Sequence, residues 1–160
     1  MVTMVAAGRT FDAGRDVAIA EAPARGLLDA APPDISKFTA RGGKLLMYHG
    51  WADQMIPPRA SVNYYTSSVQ NSGAASSSSV RLFMIPGMGH CGGGEGPNVF
   101  DTISALEDWV EQGHPPDRLV ARRVVDGEVE RSRLLCRYPQ VAKYVGGSID
   151  TESSFSCAAP

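Results

Sequence analysis

Two stretches decide how this chain is read. The first is Gly43-Lys44-Leu45-Leu46-Met47-Tyr48-His49-Gly50-Trp51-Ala52-Asp53. The second is Val80-Arg81-Leu82-Phe83-Met84-Ile85-Pro86-Gly87-Met88-Gly89-His90-Cys91-Gly92-Gly93-Gly94. Gly43–Tyr48 is short and apolar on both faces apart from Lys44. That is the pattern of a parallel strand covered by helices on both sides. Val80–Ile85 is a second strand. Between them Pro57 to Gln70 reads as a helix. Pro57-Pro58 suits its first turn, and Pro58, Val62, Tyr65 and Val69 share one face. Each strand runs into a glycine-bearing loop. Each loop carries a titratable residue five positions past the strand's predicted end, Asp53 and then His90.

Further along, Pro97 to Gln112 is the clearest helix. Val99, Ile103, Leu106 and Val110 form its apolar stripe, supported by Phe100 and Trp109, and the stripe is expected in the core. Gly113 supplies the stop. Strand, helix, strand, helix predicts an α/β arrangement with two parallel core strands and right-handed crossovers. Arg118–Val125 reads as a strand with Asp126-Gly127 as a turn. The tail from Arg133 through Cys157 is expected to be irregular and pinned down. Upstream, Asp34 is expected to cap a short helix. Val17 to Ala31 reads as a weak helix, interrupted by Pro23 and Gly26. The serine run after Gly73 reads as an exposed, mobile loop.

At 160 residues the chain is long enough for one domain. The net charge is −2 and no basic run occurs, so nothing points to nucleic acid or an anionic membrane. No apolar run approaches the length of a membrane span, which is roughly 20 residues. The first residues, broken by Arg9, show no signal peptide. Three cysteines, Cys91, Cys136 and Cys157, leave one thiol over or one partner outside the chain. There is no C-x-x-C and no ligand-like spacing among His49, His90, Cys91 and His114, so no metal site is expected.

Sites in open α/β sheets sit at the carboxyl ends of strands, where both Asp53 and His90 fall. A carboxylate there can accept the Nδ1–H of an imidazole, fix its tautomer and stabilise its cation. The alternative for Asp53 is a turn aspartate that binds its own backbone. His90, in a loop that glycines let bend sharply, suits a general base. The alternative is a loop histidine with structural hydrogen bonds. His49 reads as structural or pocket-lining, and His114 as surface. A nucleophile is harder to find. The G-x-S-x-G elbow that precedes the acid and the histidine in α/β-hydrolases does not occur upstream of Asp53. Ser36 lacks flanking glycines. Cys91 adjoins His90, and adjacent side chains in an extended loop diverge.

Arg41 to Asp53 resembles the acid motif of the tannase and feruloyl esterase family, and Arg81 to Gly94 resembles its histidine motif. Leu135-Cys136-Arg137-Tyr138-Pro139-Gln140 through Cys157 is similar to its C-terminal closure. The resemblance runs from about residue 32 to 160, and residues 1–30 do not carry it. It implies the C-terminal part of an α/β-hydrolase fold, with residues 1–31 an atypical leader and 32–160 the C-terminal portion of the catalytic domain. It implies a secreted or periplasmic carboxylic ester hydrolase acting on aromatic acid esters such as gallates or ferulates. Asp53 is then the triad acid and His90 the general base. A disulfide implied between Cys91 and the cysteine before the nucleophilic serine would lack its partner here, and Cys136 would pair with Cys157. The serine, its oxyanion hole and a calcium-holding lid domain would lie elsewhere, so no cofactor is expected in this chain.

The expectation is thus a fragment with acid and base but no nucleophile, inactive alone. Two other readings fit the same residues: a non-catalytic α/β module that binds a ligand or partner, or one half of a split esterase. An interior strand with a neighbour on one side only also predicts an open edge and self-association.

Overall fold

The computed structural model describes residues 12–24, 32–73 and 77–160. The chain divides into two compact units, Met1–Pro32 and Pro33–Pro160. The first holds helix α1 (Ala13–Ala24). Its start is set by Asp12, whose Oδ1 accepts the Arg15 N–H at 2.7 Å. The helix read from Val17 therefore begins too late, because this cap was overlooked. Its expected continuation from residue 25 to 31 lies outside the described residues, as do residues 74–76 of the serine run.

The second unit opens with the short helix expected after Asp34, α2 (Ser36–Thr39). Asp34 Oδ1 accepts the Ser36 N–H at 2.9 Å, but the N-cap position falls to Ile35, one residue later than expected. Then come β1 (Leu45–Gly50), α3 (Pro58–Asn71) and β2 (Val80–Ile85). The two strands are parallel, with Leu45 opposite Val80 and Gly50 opposite Ile85, and α3 is the crossover. Val62 and Ser68 are buried on α3, with Tyr65 and Val69 half-buried beside them. Val80, Leu82, Phe83 and Ile85 are fully buried, as a doubly covered parallel strand requires.

β1 starts two residues later than expected, for a backbone reason. The N–H groups of Gly42 and Gly43 turn back to Thr39 and Phe38, so the chain is still leaving α2 there. At the other end His49 and Gly50 stay extended because they pair with Met84 and Ile85. Among the described residues β1 has no strand on its second edge. The second edge of β2 is lined by the segment after β4, where the Tyr138 N–H reaches Leu82 O at 2.8 Å.

α4 (Thr102–Glu111) ends before Gly113, which takes φ +76°. It begins five residues later than expected, capped by Asp101, so Val99 of the expected stripe lies outside it, and the stripe is largely exposed. Val99, Ile103 and Val110 are 49%, 65% and 61% exposed, and the buried residue is Trp109. Trp109 seats the helix beneath Arg81 and Lys44, whose cations lie 5.1 and 5.7 Å from its ring centroid. Ala105 and Phe100 pack on the core. Periodicity found an apolar face, but among the described residues nothing covers most of it.

β3 (Arg118–Val125) and β4 (Glu128–Cys136) form a hairpin. Its turn is Asp126-Gly127, both with positive φ, as a primed turn demands. β5 (Val141–Tyr144) and β6 (Phe155–Ala158) form a second antiparallel pair. The tail is thus more regular than expected. β5 and β6 hold four residues each, too short for an alternating pattern to stand out from the surrounding chain. The Cys136–Cys157 disulfide closes the tail as anticipated, across a sequence separation of 21. Loop entropy makes such a bridge worth about 3 kcal/mol.

The core joins β2 to the hairpin through Phe83, Ile85, Leu119, Ala121 and Leu135. It also takes in Met88, which belongs to the histidine loop and is 1% exposed. Burying that side chain contributes about 1.5–3 kcal/mol. It anchors the loop two residues before His90.

Candidate active site

Asp53 lies three residues past the end of β1, and His90 five past the end of β2. Main-chain bonds clamp the two loops together. The Trp51 N–H donates to Ile85 O at 2.9 Å and the Ala52 N–H to Met88 O at 3.0 Å. Gly50 makes this approach possible, because a Cβ on it would fall on Met88 O and lie 2.7 Å from Gly89 O. The histidine loop is also folded on itself. The Gly96 N–H reaches Gly87 O at 3.0 Å and the Gly89 N–H reaches Gly93 O at 3.2 Å. Arg123 of β3 holds the loop from outside, with Nη1 donating to Gly94 O at 3.0 Å.

The Asp53 side chain is only 3% exposed, and both its oxygens are occupied. Oδ1 accepts the Met55 N–H at 2.8 Å and the Ile56 N–H at 2.9 Å. Oδ2 accepts from His90 Nδ1 at 2.9 Å. The two sequence readings of this residue hold together: half the carboxylate makes a turn, and the other half meets an imidazole. His49 is the addition. Its Nε2 also reaches Asp53 Oδ2, at 3.0 Å, and its Nδ1 lies 2.7 Å from Ser61 Oγ on α3. The sequence reading took His49 as structural or pocket-lining, and a carboxylate contact was missed. Side chains four apart adjoin as a rule only on a helix, so with His49 on a strand the spacing to Asp53 carries no signal of this contact.

Burial pushes the Asp53 pKa up. The Ile56 N–H, the His90 ring, the Met55 N–H and the His49 ring outweigh that and hold it well below the usual carboxylate range. The sign of the linkage follows. A carboxylate with a depressed folded-state pKa adds stability above its unfolded pKa, near 4, and loses it as the pH falls towards the folded value. Asp53→Asn is therefore expected to flatten the acid limb of the stability curve below about pH 4. Urea midpoints measured from pH 2 to 6 would check it; parallel curves for the two proteins would show that Asp53 carries no such linkage.

The pair borders an open depression of about 270 Å³, lined also by Tyr48, Ile56, Met88 and Cys91. Cys91 is a free, exposed thiol with φ +58°. His114 sits on the surface, 3.2 Å from Asp108 and apart from the site, as expected. Among the described residues no group of three or more His, Cys, Asp and Glu could hold a metal ion. No helix among them is long and apolar enough to cross a membrane.

Parallel strands joined by a crossover helix, with an acid and an imidazole meeting at their carboxyl ends, belong to an α/β-hydrolase type of fold. The sequence model of the family described as Tannase and feruloyl esterase matches residues 6–158, further towards the N-terminus than the motifs reach. The chain belongs to this family. It is 41% identical to the mono(2-hydroxyethyl) terephthalate hydrolase of Piscinibacter sakaiensis over 82% of this chain and 22% of that protein. It is 36% identical to an uncharacterised esterase of Xanthomonas campestris over 87% of this chain and 30% of that protein. The crystal structure of feruloyl esterase B from Aspergillus oryzae superposes with a TM-score of 0.84 at 31% identity, covering 93% of this chain and 33% of that one. The chain therefore spans about a third or less of the length of these relatives.

Proposed function

We propose that this chain supplies the general base and the acid of a serine carboxylic ester hydrolase acting on esters of aromatic acids. The observation that carries the reading is the 2.9 Å bond from His90 Nδ1 to Asp53 Oδ2. With Nδ1–H committed to the acid, His90 Nε2 is the nitrogen left to take a proton from a serine hydroxyl. The serine oxygen then bonds to the acyl carbon, and the proton passes from His90 to the departing alcohol oxygen. Water, deprotonated by the same nitrogen, attacks the acyl carbon; the acyl–serine bond breaks, the proton returns from His90 to the serine oxygen, and the acid is released. Asp53, ionised throughout, stabilises the imidazolium formed in each half of the cycle.

No G-x-S-x-G elbow precedes Asp53 in these 160 residues, so the nucleophile is assigned to a segment outside them. Cys91, next to His90, is assigned as a tether to a cysteine in that same segment. The open edge of β1 and the exposed Tyr48, Trp51, Met55 and Ile56 are apolar surface that the segment would cover. Without it, that edge is a route to self-association. The disulfide at Cys136–Cys157 supports an oxidising compartment.

A serine-reactive phosphonate tests the assignment. The chain is mixed with a polypeptide carrying the serine-bearing N-terminal part of a family member. Labelling is expected only in the mixture, together with turnover of methyl ferulate. Turnover by the chain alone that His90→Ala abolishes would place a nucleophile within these residues and overturn the assignment. Binding of an aromatic ester with no labelling in any mixture would favour a non-catalytic module.

A further inference from the structure

One oxygen of Asp53 receives two imidazole nitrogens. His90 Nδ1 is 2.9 Å away and His49 Nε2 is 3.0 Å away. An ionised carboxylate only accepts, so each nitrogen must carry a proton. On the far side of the His49 ring, Ser61 Oγ lies 2.7 Å from Nδ1 and can donate its hydroxyl proton there. The His49 ring is then satisfied in the tautomer that keeps its proton on Nε2. With Met55 and Ile56 N–H on Oδ1, all four acceptor positions of the carboxylate are filled.

A histidine that merely filled space on β1 would need neither partner. His49 has both, and its side chain is 12% exposed against 38% for His90. We propose that His49 is a positioning residue for His90, acting through Asp53. It takes part of the acceptor capacity of Oδ2 and so limits how tightly the acid grips the catalytic ring. Ser61 sets the tautomer that lets it do so. The Oδ1 side of the carboxylate is held by backbone, so losing His49 changes the strength of the His90 bond more than its direction. The proposal rests on the reading of Asp53 and His90 as acid and base.

The test is proton NMR of the 160-residue chain, following the far-downfield imidazole N–H signals. Two are expected in the unsubstituted protein, one from each ring. In His49→Phe one disappears, and the His90 signal moves further downfield because Oδ2 now serves a single donor. His49→Gln returns an amide N–H near the place of Nε2, and the His90 signal moves back towards its original position. Ser61→Ala, which contacts neither Asp53 nor His90, displaces the signal in the same direction by a smaller amount. A stationary His90 signal in folded His49→Phe, its complete loss, or equal effects of Phe and Gln would overturn the proposal. Should His49→Phe not fold, Ser61→Ala decides alone, and no displacement there overturns it. These signals need no turnover. A failure here leaves the esterase reading standing, and an inactive complemented enzyme leaves the His49 result standing.

Discussion

His90→Ala, made in this chain and assayed with the serine-bearing segment present, is expected to lower kcat by about 10⁶-fold. The magnitude follows from cooperation among the groups. A serine without its base is a poor nucleophile, and the leaving alcohol loses its proton donor at the same stroke. Asp53→Asn is expected to cost less, on the order of 10⁴-fold, because the imidazole survives in the wrong tautomer. The ranking is part of the prediction. Asp53 Oδ1 holds the Met55 and Ile56 N–H groups as well as serving His90 through Oδ2, so an amide in its place has to choose between them. Turnover of methyl ferulate with each variant would measure both losses. A His90→Ala enzyme within tenfold of the parent would mean another group is the base.

Gly50→Ala is expected to destabilise the second unit by about 3 kcal/mol or more, at the upper end of what overpacking costs. The added methyl meets backbone on both sides, at Met88 O and Gly89 O. Neither can swing aside as a side chain would. Met88 is itself fixed by burial, and its carbonyl already accepts the Ala52 N–H. Relief requires the acid loop and the histidine loop to part, which lengthens the Asp53–His90 bond. Urea denaturation would read the stability. A midpoint unchanged from the parent would show that the loops have slack that the structure does not suggest.

The parts of the fold that were legible share one property: their environment leaves a continuous mark on composition. β2 is buried on both sides, so Val80–Ile85 is apolar at every position but Arg81, and its ends fall where the sequence puts them. α3 was legible from its stripe, and the 126–127 turn from its Asp-Gly pair. β1 was displaced because Gly42 and Gly43 belong to the turn that leaves α2, which composition does not reveal. In α4 the periodicity was right and the burial wrong. A stripe reports that a face is apolar, and of this helix only Trp109 is fully buried. β5 and β6 hold four residues each, and a cross-link does for them what an apolar pattern does elsewhere. The meeting of Asp53 and His90 was inferable from two strands and their loops. The His49 contact was not, because it depends on which end of a strand a residue occupies. The family's sequence model extends the match to residue 6, where the motifs themselves are silent.

The clamp between the two loops is made of backbone: Trp51 N–H to Ile85 O, and Ala52 N–H to Met88 O. Neither bond depends on what the Trp51 or Ala52 side chains are. Those side chains are exposed, as are Tyr48, Met55 and Ile56 around them. The spacing of the two loops is therefore set by main chain and not by what those side chains are. Substitutions can change that surface while the spacing of the Asp53 and His90 loops is inherited unchanged.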